Sequence, residues 1–233
     1  MKIEIWSDVM CPFCYIGKNN FEQALNKLPF KDEVEVEWKS FQLDPTLDPK
    51  ETQDTIQYFR EKKGIAEAQA AQMLGQVTQM GKGAGIDFNF GKTLITNTFS
   101  AHKLLHLAKK HNKSNEMEEA LFIAHFIDGK NVGDTEVLTA LAESLGIDRE
   151  EALQAITTDQ LDYEVNQDIQ EARNNGISGV PFFVLNGKYA VSGAQPAEVF
   201  ENALRQTYKE TVSPFKDLSG ENGASCDADG CSI

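Results

Sequence analysis

The chain has 233 residues, of which 41% are hydrophobic, and a formal net charge of −14 at pH 7. This length and composition allow one good core or two smaller ones, which excludes the disordered, collagen-like and membrane-spanning classes. The acidic charge argues against nucleic acid and anionic lipid as partners, because both need a basic surface. No apolar run approaches the roughly 20 residues that span a bilayer, and no basic and apolar leader precedes the first strand, so we expect a cytoplasmic protein.

The N-terminal residues are predicted to form a β-α-β unit. Ile3 and Ile5 mark a first strand, and apolar and acidic side chains alternate over residues 34–38, which indicates a second strand. Between the strands, Pro12 suits the first position of a helix, and apolar residues recur there at steps of three and four.

The middle of the chain is predicted to be helical throughout. The pattern indicates helices over residues 52–63, 66–82, 98–111, 115–128, 134–145 and 149–157. Gly81, Gly83 and Gly85 lead into a non-helical stretch, residues 86–90, which we interpret as a loop at the edge of the helical block.

β-structure returns after a helix that is predicted to end near Gly176. Residues 182–185 and 188–191 flank Asn186-Gly187, a pair that tolerates positive φ and therefore favours a hairpin turn. A last helix is predicted from Pro196 to about Lys209.

Together these elements predict an α/β fold with a four-stranded mixed sheet and a large helical insertion. We expect residues 1–44 and 160–212 to form the sheet-containing domain, with residues 45–159 inserted as a helical domain. Residues 213–233 are polar and Gly-rich, so a flexible tail is expected there.

Cys11-Pro12-Phe13-Cys14 places two thiols one helical turn apart, directly after the first strand. Such a pair can close and reopen a small disulfide, which is the chemistry of thiol–disulfide enzymes. Unpaired N–H groups and the positive end of the helix dipole favour a thiolate at Cys11. We therefore predict a redox centre in which Cys11 is the accessible, acidic thiol and Cys14 the buried, less acidic one.

Three motifs in this sequence point to a family. They are Ser7-Asp8-x-x-Cys11-Pro12-x-Cys14-Tyr15, Gly176-Ile177-x-Gly179-Val180-Pro181-x-Phe183 and Ser192-Gly193-Ala194-Gln195. In combination with the helical insertion, the chain resembles the DsbA branch of thioredoxin-fold proteins over about residues 1–212. Within that branch it is similar to the FrnE-like group, which is related to 2-hydroxychromene-2-carboxylate isomerase.

The resemblance implies a protein-disulfide oxidoreductase in which Cys11 is the nucleophile and Cys14 the resolving thiol. Val180 and a cis Pro181 would lie against the disulfide and bind an extended substrate, with Pro12 and Phe13 beside them. No metal or organic cofactor is required. The substrates would be proteins or small molecules with thiols or disulfides, and glutathione or a thioredoxin system would recycle the enzyme.

The sequence departs from this family at two positions. DsbA has a His before the second cysteine, whereas Phe13 cannot donate a hydrogen bond, so a less oxidising disulfide is expected. Thioredoxin and DsbA carry an acid six residues before the nucleophile, where this chain has Ile5. Asp8 is expected near the sulfurs instead, where its charge would oppose thiolate formation.

Two other functions remain open on the same scaffold. One is a glutathione-dependent isomerase or kappa-type transferase, although those relatives typically have Ser in place of the first cysteine. The other is a peptide-binding chaperone, whose aggregation suppression would survive loss of both Cys11 and Cys14.

Cys226 and Cys231 form a second pair in the tail. We interpret them as a possible second redox pair, because Gly230 and the short loop make closure sterically easy. A disordered tail with incidental thiols, and a metal site built from these thiols with two aspartates or with Cys11 and Cys14, are the alternatives.

Two further side-chain sets are interpreted as structural. His102 and His106 lie four residues apart without a third ligand, so solvated or half-buried helix histidines are expected. Leu121, Phe122 and Phe126 lie at helical spacing and are expected in the core, although a substrate groove remains possible.

Overall fold

The computed structural model describes residues 1–212 and the backbone of residues 225–227 and 230–232. The strands are β1 (Lys2–Ser7), β2 (Glu35–Ser40), β3 (Gln53–Asp54), β4 (Leu94–Ile95), β5 (Phe182–Leu185), β6 (Tyr189–Ser192), β7 (Ser225–Asp227) and β8 (Gly230–Ser232). The α-helices are α1 (Pro12–Leu25), α2 (Thr55–Lys63), α3 (Glu67–Gly83), α4 (Phe99–Lys110), α5 (Ser114–Phe122), α6 (Thr135–Ser144), α7 (Arg149–Thr157), α8 (Asp162–Asn174) and α9 (Ala197–Val212).

Four strands form the central sheet in the order β2-β1-β5-β6. β1 runs parallel to β2 and antiparallel to β5, and β5 pairs with β6 through the Asn186-Gly187 turn. Both turn residues have positive φ, +51° and +64°. The sheet is therefore mixed, and the α/β fold with a four-stranded sheet and a helical segment between β2 and β5 is confirmed.

The sheet is covered on both faces. Ile3 and Ile5 of β1 lie on one face in a core with Phe183 of β5, and α1 and α9 close this side. Trp6 lies on the opposite face, where its Nε1 donates a hydrogen bond to the Asp168 carbonyl of α8. Successive side chains of β1 thus lie on opposite faces, and both faces are covered at Ile5 and Trp6. Each fully buried large apolar side chain contributes about 1.5–3 kcal/mol.

A second apolar core lies among α4, α5, α6 and α7. It contains Leu104, Met117, Leu121 and Leu138, which have no exposed surface. Val9, in the turn after β1, packs into this helical core. The turn that carries the cysteines therefore lies where the sheet and the helices meet, and the division at residues 45–159 stays our proposal.

Several boundaries differ from the prediction. Residues 53–54 form a short strand with β4 rather than the start of a helix, because the Asp54 side chain accepts hydrogen bonds from the N–H groups of Ile56 and Gln57 and caps α2. The helix predicted over residues 115–128 ends as α5 at Phe122 and continues as a π-helical turn over Ile123–Ile127. Residues 86–89 have no regular structure, in line with the predicted loop.

β7 and β8 pair antiparallel, with Cys226 opposite Cys231 in the ladder. The side chains of this cysteine pair lie outside the described residues, so their redox role stays a prediction. Among the described residues, no helix is both long enough and apolar enough to cross a bilayer.

Gly17 of α1 is where the helix packs against the loop before β5. A Cβ on Gly17 would lie 2.9 Å from Pro181 Cγ and 3.4 Å from Phe183 Cζ. We expect Gly17→Ala to lower the free energy of unfolding in urea by about 1–3 kcal/mol, because the proline ring cannot move without its backbone.

Gly75→Ala is the matched control, because nothing lies within 4 Å of a Cβ at this position of α3. It is expected to raise the free energy of unfolding by up to about 1 kcal/mol through helix propensity. Equal effects of the two substitutions would show that the contact at Gly17 is not tight.

Candidate active site

The turn between β1 and α1 sets the positions of both thiols. Cys11 is the N-cap of α1 with extended backbone, and Pro12 is the first helical residue. The Cys11 N–H donates to the Asp8 carbonyl at 2.9 Å, and the Cys14 N–H donates to the Cys11 carbonyl at 3.0 Å. Both cysteines are free thiols. Backbone hydrogen bonds therefore help to hold Cys11 at the cap and Cys14 one turn inside.

Both thiols are buried, with exposed fractions of 3% for Cys11 and 1% for Cys14. Little of the Cys11 surface is therefore exposed, and its greater accessibility relative to Cys14 stays a prediction. Its Sγ–H donates to the Val180 carbonyl at 3.6 Å, because the loop before β5 lies over the sulfur. Access to Cys11 comes instead from the groove described below.

Burial raises the pKa of the Cys14 thiol well above its usual value, and the neighbouring Cys11 sulfur raises this pKa further. Hydrogen bonding of the Cys14 sulfur with the Asp8 backbone N–H and with the Ser7 side chain opposes this rise of the pKa. Cys14 is therefore held as a protonated thiol near neutral pH, in line with the buried, less acidic role predicted for it.

Asp8 has a structural role that its prediction did not include. Its carboxylate is fully buried and accepts hydrogen bonds from the Leu43 N–H at 2.7 Å and the Met10 N–H at 3.3 Å. The contact that Asp8 makes with Cys14 comes from the backbone N–H, which favours the thiolate. The carboxylate thus fixes the loop after β2 to the turn that carries the cysteines.

The loop before β5 brings a distant segment to the cysteines. The Val180–Pro181 peptide bond is cis, and the Pro181 carbonyl accepts a hydrogen bond from the Gly193 N–H at 2.8 Å. Val180 contacts Cys11 as the resemblance implied, whereas the Pro181 ring is buried against Gly17.

An apolar groove of about 460 Å³, which we call the Cys11 groove, opens beside the first thiol. Its lining includes Cys11, Pro12, Phe13, Val180, Tyr58 and Phe126. Four side chains with 38–47% exposure, Phe13, Leu43, Met73 and Met80, also line it. Exposed apolar side chains collected in one place mark binding surfaces. The Cys11 groove is therefore the candidate substrate site.

Aromatic side chains of α5 and the π-helical turn support the floor of this site. Tyr15 stacks on Phe122 with ring centroids 4.8 Å apart, and both rings are buried. Phe126 is 1% exposed yet also lines the Cys11 groove. The core role predicted for Leu121, Phe122 and Phe126 is confirmed, and Phe126 lines the groove as well.

Behind the cysteines lies a buried polar cluster that the sequence analysis missed. The Ser7 hydroxyl donates to Glu118 Oε1 of α5 at 2.6 Å, and Glu118 is 1% exposed. The available signal was spacing, because Glu118 precedes Leu121 and Phe122 by three and four residues and so shares their buried helix face.

The expectation for two histidines of α4 was wrong. His102 and His106 are 1% and 9% exposed, because the helix packs against α5, α7 and α8 rather than facing solvent. His106 Nε2 lies 3.1 Å from both the Ser40 hydroxyl and the Asp168 carboxylate, and His102 Nε2 lies 3.6 Å from Asp8. Within the described part of the chain, no group of three or more His, Cys, Asp or Glu side chains is arranged to hold a metal.

The DsbA-like thioredoxin domain family matches residues 2–205 of this sequence. The chain belongs to this family. It is 32% identical to the uncharacterised protein YwbO of Bacillus subtilis over 221 residues, which cover 89% of this chain and 98% of that protein. Family membership confirms the resemblance drawn from the three sequence motifs.

Solved structures show the same likeness. The chain is 36% identical to the probable DsbA oxidoreductase SCO1869 of Streptomyces coelicolor, with a TM-score of 0.86 over 100% of this chain and 99% of that one. It is 14% identical to the cytosolic disulfide reductase DsbM of Pseudomonas aeruginosa, with a TM-score of 0.65 over 90% of this chain and 100% of that one. The second likeness shows the fold alone. Together with the family, the likeness to SCO1869 supports a thiol–disulfide oxidoreductase.

The different surroundings of the two thiols predict different alkylation rates. With Cys226 and Cys231 replaced by Ser, we compare the Cys11→Ser and Cys14→Ser variants against iodoacetamide between about pH 6 and about pH 10. The thiol of Cys11 should react through the groove near neutral pH, whereas Cys14 should react at least about tenfold more slowly, because burial keeps it protonated. Mass spectrometry measures the rates, and faster reaction of Cys14 would contradict the assignment.

Proposed function

We propose that this protein is a thiol–disulfide oxidoreductase whose redox centre is the Cys11–Cys14 pair. One observation carries the proposal: two free thiols lie at the start of α1, and the first of them borders the Cys11 groove beside the Val180 carbonyl. The site has the parts that disulfide exchange needs, which are a nucleophilic sulfur, a second sulfur within reach and a surface for the substrate.

In the reductive direction, the Cys11 thiolate attacks one sulfur of a substrate disulfide. A mixed disulfide forms, and the other substrate sulfur leaves with the electron pair of the broken bond. Cys14 then loses its proton and attacks the Cys11 sulfur, which closes the Cys11–Cys14 disulfide and releases the second substrate thiolate. The substrate gains two electrons, and the oxidative direction reverses these steps.

The groove supports proteins with exposed apolar segments as the substrate class. Met73 and Met80 are unbranched and polarisable, so they adapt to varied apolar side chains. Lys63 adds a positive charge to the lining. An extended segment seated here would bring its disulfide to Cys11, next to the Val180 backbone.

A reduced dithiol must be regenerated for each reductive cycle. We assign this step to glutathione or a thioredoxin system, both of which supply thiols that exchange with a protein disulfide. A cytoplasmic location would provide these reductants, and the similar DsbM is by its name a cytosolic disulfide reductase.

Insulin reduction with dithiothreitol tests the proposed activity. The full chain should accelerate reduction, and Cys11→Ser should abolish the acceleration, because the nucleophile is gone. Cys14→Ser should instead accumulate a mixed disulfide with the substrate, since nothing resolves it. Activity that requires glutathione and survives Cys14→Ser would favour the isomerase or transferase. Aggregation suppression without disulfide exchange, retained when both cysteines are replaced, would favour the chaperone.

The groove predicts which substitutions weaken substrate binding. Met80→Lys, at an exposed position of the lining, should raise KM for a protein disulfide about fivefold, because about 1 kcal/mol of apolar contact is lost. The rate at which the Met80→Lys variant reacts with a small aromatic disulfide should change little. Tyr163→Lys on α8 is the control, with the side chain 74% exposed and outside the groove lining. Equal KM values for Met80→Lys and Tyr163→Lys would show that the groove does not bind the substrate.

A further inference from the structure

Glu118 is a buried acid that the steps above do not use. It lies on α5, and the Ser7 hydroxyl donates to its Oε1 at 2.6 Å. Its Oε2 has no hydrogen-bond partner among the described residues. A buried carboxyl with one oxygen unpaired is costly, so a role beyond packing has to be considered.

Ser7 connects this acid to the redox centre. It is the last residue of β1 and is 2% exposed; its hydroxyl donates to Glu118, and its side chain is near enough to Cys14 to lower the pKa of that thiol. A hydroxyl accepts and donates hydrogen bonds at once. A continuous path therefore runs from the Cys14 thiol through the Ser7 oxygen to Glu118 Oε1.

We propose that Glu118 accepts the proton of Cys14 through Ser7 when Cys14 resolves the mixed disulfide. This inference rests on the proposed function. The Cys14 proton passes to the Ser7 oxygen as the Ser7 proton passes to Oε1, which leaves a thiolate, a re-formed hydroxyl and a neutral carboxyl. The thiolate attacks the Cys11 sulfur, the new disulfide forms, and the electron pair of the broken bond leaves on the substrate sulfur. In the reverse direction Glu118 returns the proton.

The surroundings of Glu118 suit an acceptor at neutral pH. Burial raises the pKa of Glu118 to about 7, and the hydrogen bond from Ser7 opposes this shift. Among the titratable and charged groups around Glu118, His102 of α4 and Lys18 of α1 favour the carboxylate, whereas Asp8 opposes it. His106, Lys39 and Lys109 lie across a cavity of about 10 Å³. His125 is fully buried, and burial lowers its pKa to about 4, so it adds no charge near neutral pH.

The proposal predicts a pH dependence with a definite sign. Only the ionised carboxylate accepts a proton, and the ionised fraction grows as pH rises through the pKa of Glu118. Resolution by Cys14 should therefore accelerate through about pH 7. The first attack by Cys11 has no contact with this path and should not follow the same profile.

Stopped-flow reaction with 5,5′-dithiobis(2-nitrobenzoate) separates the two steps. With Cys226 and Cys231 replaced by Ser, attack by Cys11 releases one thionitrobenzoate, and resolution by Cys14 releases the second. Glu118→Gln keeps the shape and the acceptor for Ser7 but cannot take a proton. It should slow the second phase about tenfold or more and remove its inflection near pH 7, with the first phase unchanged.

Glu116→Gln is the matched control, because it makes the same charge change at an exposed position of α5 and should leave both phases unchanged. A second phase in Glu118→Gln with unchanged rate and profile overturns the inference, as does equal slowing at every pH with the inflection kept. Loss of the first phase in the unsubstituted protein would instead overturn the proposed function. If Glu118→Gln fails to fold by circular dichroism, Ser7→Ala breaks the path, and an unchanged second phase there overturns the inference.

Discussion

The site depends on the burial of the end of β1 between two cores. Ser7, Asp8 and Val9 are almost fully inaccessible, and each is held by a different part of the chain. Ser7 binds Glu118 of α5, Asp8 binds the Leu43 N–H after β2, and Val9 packs among the helices. Because the turn cannot move without losing contacts in both cores, the thiols that follow it are held in position for reaction.

Burial of Cys14 makes its deprotonation unfavourable, and the buried polar cluster of Ser7 and Glu118 provides a proton acceptor. A thiolate in an apolar site is disfavoured by desolvation, and this is the main reason that the pKa of Cys14 is raised. Yet Cys14 must become a thiolate to resolve a mixed disulfide. Glu118, connected to the Cys14 sulfur through the Ser7 hydroxyl, can take the proton without water entering the site. In this way a buried thiol can become a thiolate when the mixed disulfide forms.

Local signals predicted the local parts of this structure. The Asn186-Gly187 turn, the helix over Arg149–Thr157 and the cysteines at the start of α1 depend on neighbouring residues, and all three appear where the sequence placed them. The partner of Ser7 could not be found in this way, because Glu118 lies 111 residues further along the chain. The burial of His102 was missed for the same reason, since the packing of α4 among other helices decides it.

The two sulfurs meet different surroundings, although they lie one helical turn apart. Cys11 borders an apolar groove, whereas Cys14 contacts the hydroxyl and N–H donors at the end of β1. Substrate selection therefore acts on the first sulfur and proton transfer on the second. Because Ser7, Cys14 and Glu118 do not line the groove, substitutions in the groove can alter substrate preference without removing a group of the proton path. Substitutions in the groove should then leave the pH profile of resolution by Cys14 unchanged, whereas the rate of resolution still varies between substrates with the pKa of the leaving thiol.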